Sequence, residues 1–83
     1  MNEVFILGKI EDIKFEFMYD SKYISIGIIS LKLQNQSIIE AYGYNEIADE
    51  LIQNFHKGDI VFVYGNLKSD GGIEIRQIEH FSV

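Results

Sequence analysis

Apolar and polar residues alternate along most of the chain, and the alternation divides it into five strand-like stretches and one helix. In the first stretch, Glu3 to about Phe17, Val4, Ile6 and Ile10 share one face through Gly8, while Phe5 and Leu7 lie on the other. A glycine inside so long a strand lets it bend and pair with different neighbours at its two ends. Phe15 and Phe17 carry the pattern to a turn at Met18-Tyr19-Asp20-Ser21-Lys22. The second stretch, Tyr23 to Leu33, changes phase: Ile24, Ile26 and Ile28 share one face, and Ile29, Leu31 and Leu33 the opposite one. A bulge near Ile28 would bring both sets to one face; without it both faces are apolar and one is an interface. After Gln34-Asn35-Gln36, the third stretch, Ser37 to Tyr44, puts Ile39, Ala41 and Gly43 inward and Ile38, Glu40, Tyr42 and Tyr44 outward.

The period then becomes helical. Ile47, Leu51 and Phe55 repeat every fourth residue, joined by Ala48 and Ile52, which predicts an apolar stripe that plugs an open end of the sheet. Asn45 is the expected N-cap, with Glu46 and Asp49 near the positive end of the helix dipole. Gly58 is the expected helix stop. Asp59 opens a fourth strand, Ile60 to Leu67; Ser69-Asp70-Gly71-Gly72 reads as a hairpin turn, and Ile73 to Phe81 as the fifth strand. Three strands, a short helix and two strands, with glycines at Gly8 and Gly65, predict an all-β chain: a five-stranded Greek-key barrel of the OB type, with its one helix between strands 3 and 4.

Composition narrows the class. Eighty-three residues make a single domain, 1–83, whose small core gains from being dense or shared with another subunit. The 47% hydrophobic content argues against disorder. With no cysteine there is neither a disulfide framework nor a thiolate metal site. No leader pattern and no membrane-length apolar run is present, so a cytoplasmic protein without membrane contact is expected. The net charge of −6 opposes phosphate binding, but the acidity is localised. Residues 1–20 hold five acids against two bases and residues 45–56 three acids against none, whereas the rest balances five with five.

Three segments carry a family resemblance: Asn2-Glu3-Val4-Phe5-Ile6-Leu7-Gly8-Lys9-Ile10; Ala48 and Leu51 ahead of Lys57-Gly58-Asp59; and Val61-Phe62-Val63-Tyr64-Gly65-Asn66-Leu67. In their joint order the chain resembles, over almost its full length, the bacterial single-stranded DNA-binding proteins and their short relative, primosomal replication protein B. The resemblance implies an OB barrel that binds single-stranded DNA in replication, repair or recombination, a dimer or tetramer of identical subunits, and replication proteins as partners. It also implies stacking of bases on outward aromatics, one of them at the position of Tyr44, and a basic residue after the first-strand glycine, matched by Lys9. An earlier aromatic position on the third strand is Ile38 here. The long, DNA-wrapping hairpin of many members is cut to Ser69-Asp70-Gly71-Gly72 beside Lys68. The family's acidic partner-recruiting tail has no counterpart before Val83.

The expected DNA-binding set is therefore Tyr42 and Tyr44, about 7 Å apart on one outward face, with Lys9, Lys22, Lys32, Lys68 and Arg76 neutralising phosphates. RNA is left open as a ligand. Each residue also has a plain reading: tyrosines packed against a neighbouring strand or subunit, and lysines as solvated surface. Glu40, between the tyrosines, repels phosphate unless it accepts from a base amino group. Ile24, Ile26, Ile28 and Ile38 are expected to form an exposed patch that a homo-oligomer covers. Neither His56 nor His80 has a partner at triad or metal spacing in sequence, so no enzyme, cofactor or metal is expected. The competing reading, from another class, is a protein-interaction or assembly module of a replication or mobile-element complex that kept the barrel and lost the ligand.

Overall fold

In the computed structural model, which describes residues 2–19 and 21–82, the elements follow the expected order: β1 (Glu3–Tyr19), β2 (Tyr23–Lys32), β3 (Ile38–Tyr44), α1 (Glu46–Asn54), β4 (Ile60–Leu67) and β5 (Ile73–His80). The turn expected at 18–22 includes Asp20, which lies outside the described residues. The strands close into a barrel in the order β1-β2-β3-β5-β4. Every pairing is antiparallel except the short parallel contact of β3 with β5 through Ala41–Ile73 and Tyr42–Glu74.

Closure depends on β1 serving two neighbours. Its first half, Glu3–Lys9, pairs with β4, and its second half, Lys9–Tyr19, pairs with β2. The exchange falls beside Gly8, where a Cβ would come within 3.2 Å of the Lys32 carbonyl oxygen. The bulge expected near Ile28 is not in β2, which keeps continuous register with β3 from Ile26–Tyr44 to Lys32–Ile38. It lies on β1 instead: Ile10 pairs with Leu31 and Asp12 with Ser30, so Glu11 is the extra residue. One inserted residue reverses the phase of all that follows. Before it, Val4, Ile6 and Ile10 lie on the core side; after it, Ile13 does so, Phe15 stands opposite buried Gly27 though 38% exposed, and Lys14 is exposed.

The interior is apolar throughout, with Ile10, Ile29, Leu31, Leu51, Val61 and Val63 among the fully buried side chains. Each contributes about 1.5–3 kcal/mol relative to exposure. Ala48, Leu51 and Phe55 of the helical stripe are buried as expected, but Ile52 is exposed on the far side of α1. The helix is seated on a saddle made by register partners Gly27 and Gly43. A Cβ on Gly27 would stand 2.8 Å from Leu51, and one on Gly43 would overlap Ile47. Helix and sheet approach closely because both residues lack side chains.

Two end signals act differently from expectation. Asn45 occupies the N-cap position, but at φ 54° its side chain makes no capping bond. Its backbone has positive φ with ψ −106°, and it is held there by backbone bonds: its carbonyl accepts from Asp49 N at 2.9 Å and its N–H donates to Ser25 O at 2.8 Å. The helix ends at Asn54, ahead of Gly58, whose φ of 98° turns the chain into β4 instead. Asp59 fixes that turn by accepting from His56 N at 2.8 Å. Its carboxyl is held below the ordinary value of 3.8, chiefly by this bond, against desolvation and with help from His80.

Candidate nucleic-acid interface

Alternation in β3 places Ala41 and Gly43 in the core, which leaves Tyr42 and Tyr44 half-buried on the outer face. Each is opposed by an isoleucine of β2, Tyr42 by Ile28 and Tyr44 by Ile26. The apolar floor so formed is continuous, and Ile26 beneath it is only 9% exposed. The exposed patch expected from Ile24, Ile26, Ile28 and Ile38 is therefore corrected: only Ile38, at 59%, is broadly exposed. A cross-strand tyrosine covers what period alone assigns to solvent.

Lys68 completes this group. The β4–β5 turn, held by Lys68 N donating to Gly72 O at 2.7 Å and Gly72 N to Asp70 Oδ1 at 2.9 Å, packs against Tyr42. The Lys68 ammonium is thereby set 4.1 Å from the Tyr42 ring centroid, where it donates to Tyr44 Oη at 3.4 Å. Tyr42 donates its hydroxyl to Glu40 Oε1 at 2.9 Å; this bond, foremost, raises its pKa above 10.0. Two rings, one ammonium and one carboxylate are thus joined on the sheet face by two hydrogen bonds and one cation–π contact. A flat π-system would stack on the rings once the ammonium leaves the Tyr42 face, and an anion would pair with that ammonium.

The other candidate residues fall elsewhere. Lys9 and Lys32 are register partners on the same outer face, in the row that contains Ile38, four residues or about 13 Å along β3 from Tyr42. Lys22 lies at the tip of the arm that β1 and β2 extend beyond the barrel. Arg76 is the extra residue of a second bulge, between Tyr64–Gln77 and Gly65–Ile75, and acts electrostatically on Tyr64 rather than joining Tyr42.

Sequence reasoning missed two features. Lys14 pairs with Ile28, which pairs with Tyr42, so it stands in the platform's own row, flanked on its strand by Asp12 and Glu16. Only the bulge at Glu11 turns it outward, and nothing in the local pattern signals that. The arm also carries Phe17, Tyr19 and Tyr23 as an exposed cluster with ring centroids 6.1 and 5.8 Å apart. The run of aromatics from 15 to 23 was the available signal. Among the described residues no group of side chains has the arrangement of a metal site.

A closed five-stranded barrel with one helix between β3 and β4, β1 shared by two neighbours and a short β3–β5 closure, is the OB fold. No protein-family model and no curated protein matches the sequence. Solved structures do match the fold. The SSB domain of a Synechococcus sp. protein superposes with a TM-score of 0.82 at 16% identity, covering 96% of each chain. The single-stranded DNA-binding protein of Thermus aquaticus gives 0.79 at 21% identity, covering all of this chain and 41% of that one. The protein priB of Ralstonia solanacearum gives 0.74 at 16%, covering 98% and 99%. The chain thus has the fold of a bacterial SSB domain and resembles priB in fold and in extent.

Proposed function

We propose that the protein binds single-stranded DNA with little sequence preference, stacking bases on Tyr44 and Tyr42 and holding phosphates with Lys68 and Lys14, then with Lys32 and Lys9 further along the sheet. The observation that carries this reading is the Lys68 ammonium 4.1 Å over Tyr42 and in contact with Tyr44. Aromatic platform and cation stand together on the outer face, as sequence-tolerant strand binding requires. The likeness in fold to the Thermus aquaticus single-stranded DNA-binding protein supports it. Titration of fluorescently labelled oligo-dT, first at low salt and then at high, tests it. Binding that weakens with salt is expected; no binding at low salt refutes the reading.

Self-association belongs to the same proposal, through a surface other than the isoleucines. On the outer face of β1 and β4, Phe5 (68% exposed) and Phe62 adjoin one another at 6.1 Å, with Phe5 tilted on Tyr64 at 4.7 Å. Beside them the opposite edge of residues 3–6 has no strand partner among the described residues. A second copy would cover both edge and face. Sedimentation at micromolar concentration should give a multiple of 9.6 kDa, and Phe62→Glu should reduce it to the monomer. A monomer for the unaltered chain refutes this part.

The assembly-module reading rests on the same apolar face and on the acids flanking the platform: Glu40, Asp70, Asp12 and Glu16. It becomes the better account if the oligo-dT titration is silent while the chain still self-associates.

A further inference from the structure

At the end of the outer face away from the tyrosines, a groove of about 350 Å³ opens where β1 passes from β4 to β2. Leu7, Leu33 and Ile60 give it apolar walls, Lys9 and Lys32 stand beside each other at its rim, and Glu11 is the one acid in its lining, which leaves the two cations in excess. The two lysines are directly opposed across antiparallel strands, an arrangement that disfavours like charges. Neither forms an ion pair among the described residues. Lys32 is moreover half-buried, its stem lying along the groove. An anion between them would relieve the opposition of like charges.

The β2–β3 turn adds a third observation. Gln36, which borders the groove, has φ 73°, a region that glycine or asparagine enters far more readily than glutamine. The turn, closed by Gln36 N donating to Leu33 O at 3.0 Å, places beside the groove a side-chain amide whose Nε2 donates to Gln34 O at 3.5 Å. Two cations, apolar walls of mononucleotide dimensions and an amide at the edge describe one ligand chemistry. We infer that this groove binds a single nucleotide unit, its 5′-phosphate between Lys9 and Lys32, its base against Leu7, Leu33 and Ile60, and the base edge at Gln36. The inference rests on the strand-binding reading for its biological sense, since a nucleotide here would be one end of a strand crossing from Tyr44. The groove itself would also take a free nucleoside monophosphate.

The test uses the whole chain, ¹⁵N-labelled, titrated with thymidine 5′-monophosphate, thymidine and inorganic phosphate in turn, alongside the oligo-dT titration. Thymidine 5′-monophosphate should shift the amides of Gly8, Lys9, Leu33 and Gln36 saturably, while thymidine and phosphate alone bind about tenfold more weakly, each lacking half the contacts. Lys9→Gln and Lys32→Gln, surface changes whose folding the same spectra report, should each weaken the monophosphate about threefold to tenfold. Shifts confined to Tyr42 and Tyr44, or none that saturate, overturn the groove and leave oligo-dT binding to stand on its own result. A 5′-phosphorylated oligo-dT that binds no more tightly than the unphosphorylated one, with the monophosphate still saturating the groove, assigns the site to free nucleotide rather than a strand end. Saturation by the monophosphate without any oligo-dT binding upholds the groove and refutes the strand-binding reading.

Discussion

Lys68→Ala separates two effects of one side chain. In the free protein the ammonium occupies the face of Tyr42 on which a base would stack, 4.1 Å from the ring centroid. Removing it uncovers that face, and displacing an exposed cation from an aromatic ring otherwise costs about two- to fivefold in affinity. It also removes one phosphate partner, so the slope of log affinity against log salt should shrink by about 0.7. Taking about 1 M salt as the point where the electrostatic contribution vanishes, the lost cation costs about eightfold at about 50 mM and less than twofold at about 0.5 M. The variant should therefore bind labelled oligo-dT more weakly than the unaltered chain at low salt and as well or better at high salt. The backbone of the turn is retained, because Lys68 contributes to it through its N–H and carbonyl. Fluorescence anisotropy at four or five salt concentrations measures both lines. Parallel lines would show that Lys68 meets no phosphate; converging lines that leave the variant clearly weaker at the highest salt would show that it does not shield the platform.

Tyr44→Ala should weaken oligo-dT binding by about 1–3 kcal/mol with an unchanged salt slope, since a stacking surface and no cation is removed; full affinity in a folded variant refutes the stacking role. Gly43→Ala places a methyl group against Ile47 and should cost about 1–3 kcal/mol in urea unfolding, without altering net charge or outer face; an unchanged midpoint would mean the helix is not seated on that strand. Because the folded Asp59 carboxyl lies below its ordinary 3.8, the stability it contributes is present above that value and is lost as pH falls through the folded one. Asp59→Asn should therefore lower the melting temperature near neutral pH and leave it almost unchanged at the acid end; an equal drop at both refutes the assignment.

The element order was legible in the sequence because its signals are local: alternation in β1 to β5, the four-residue stripe of α1, and Asp70-Gly71 between the last strands. The outward pair Tyr42 and Tyr44 was legible for the same reason, being in fixed phase with buried Ala41 and Gly43. The meeting of Lys68 with those tyrosines was not, since it depends on the parallel β3–β5 contact, which brings residues 24 apart into one group. Nor was the burial of Ile26, which a ring on the neighbouring strand decides.

The bulge at Glu11 has the widest consequence. Lys9 and Lys14 are five residues apart, an odd interval that in an unbroken strand would send one of them inward. The extra residue restores the phase, so that Lys9 meets Lys32 at the groove while Lys14 meets Ile28 beside Tyr42, both on the outer face. The bulge is needed where one strand leaves β4 for β2, a requirement of barrel closure that no local pattern contains. The residue that closes the fold is therefore also the one that aligns its two cationic positions, and a deletion of Glu11 should disturb both even though Glu11 itself lies outside the tyrosine platform.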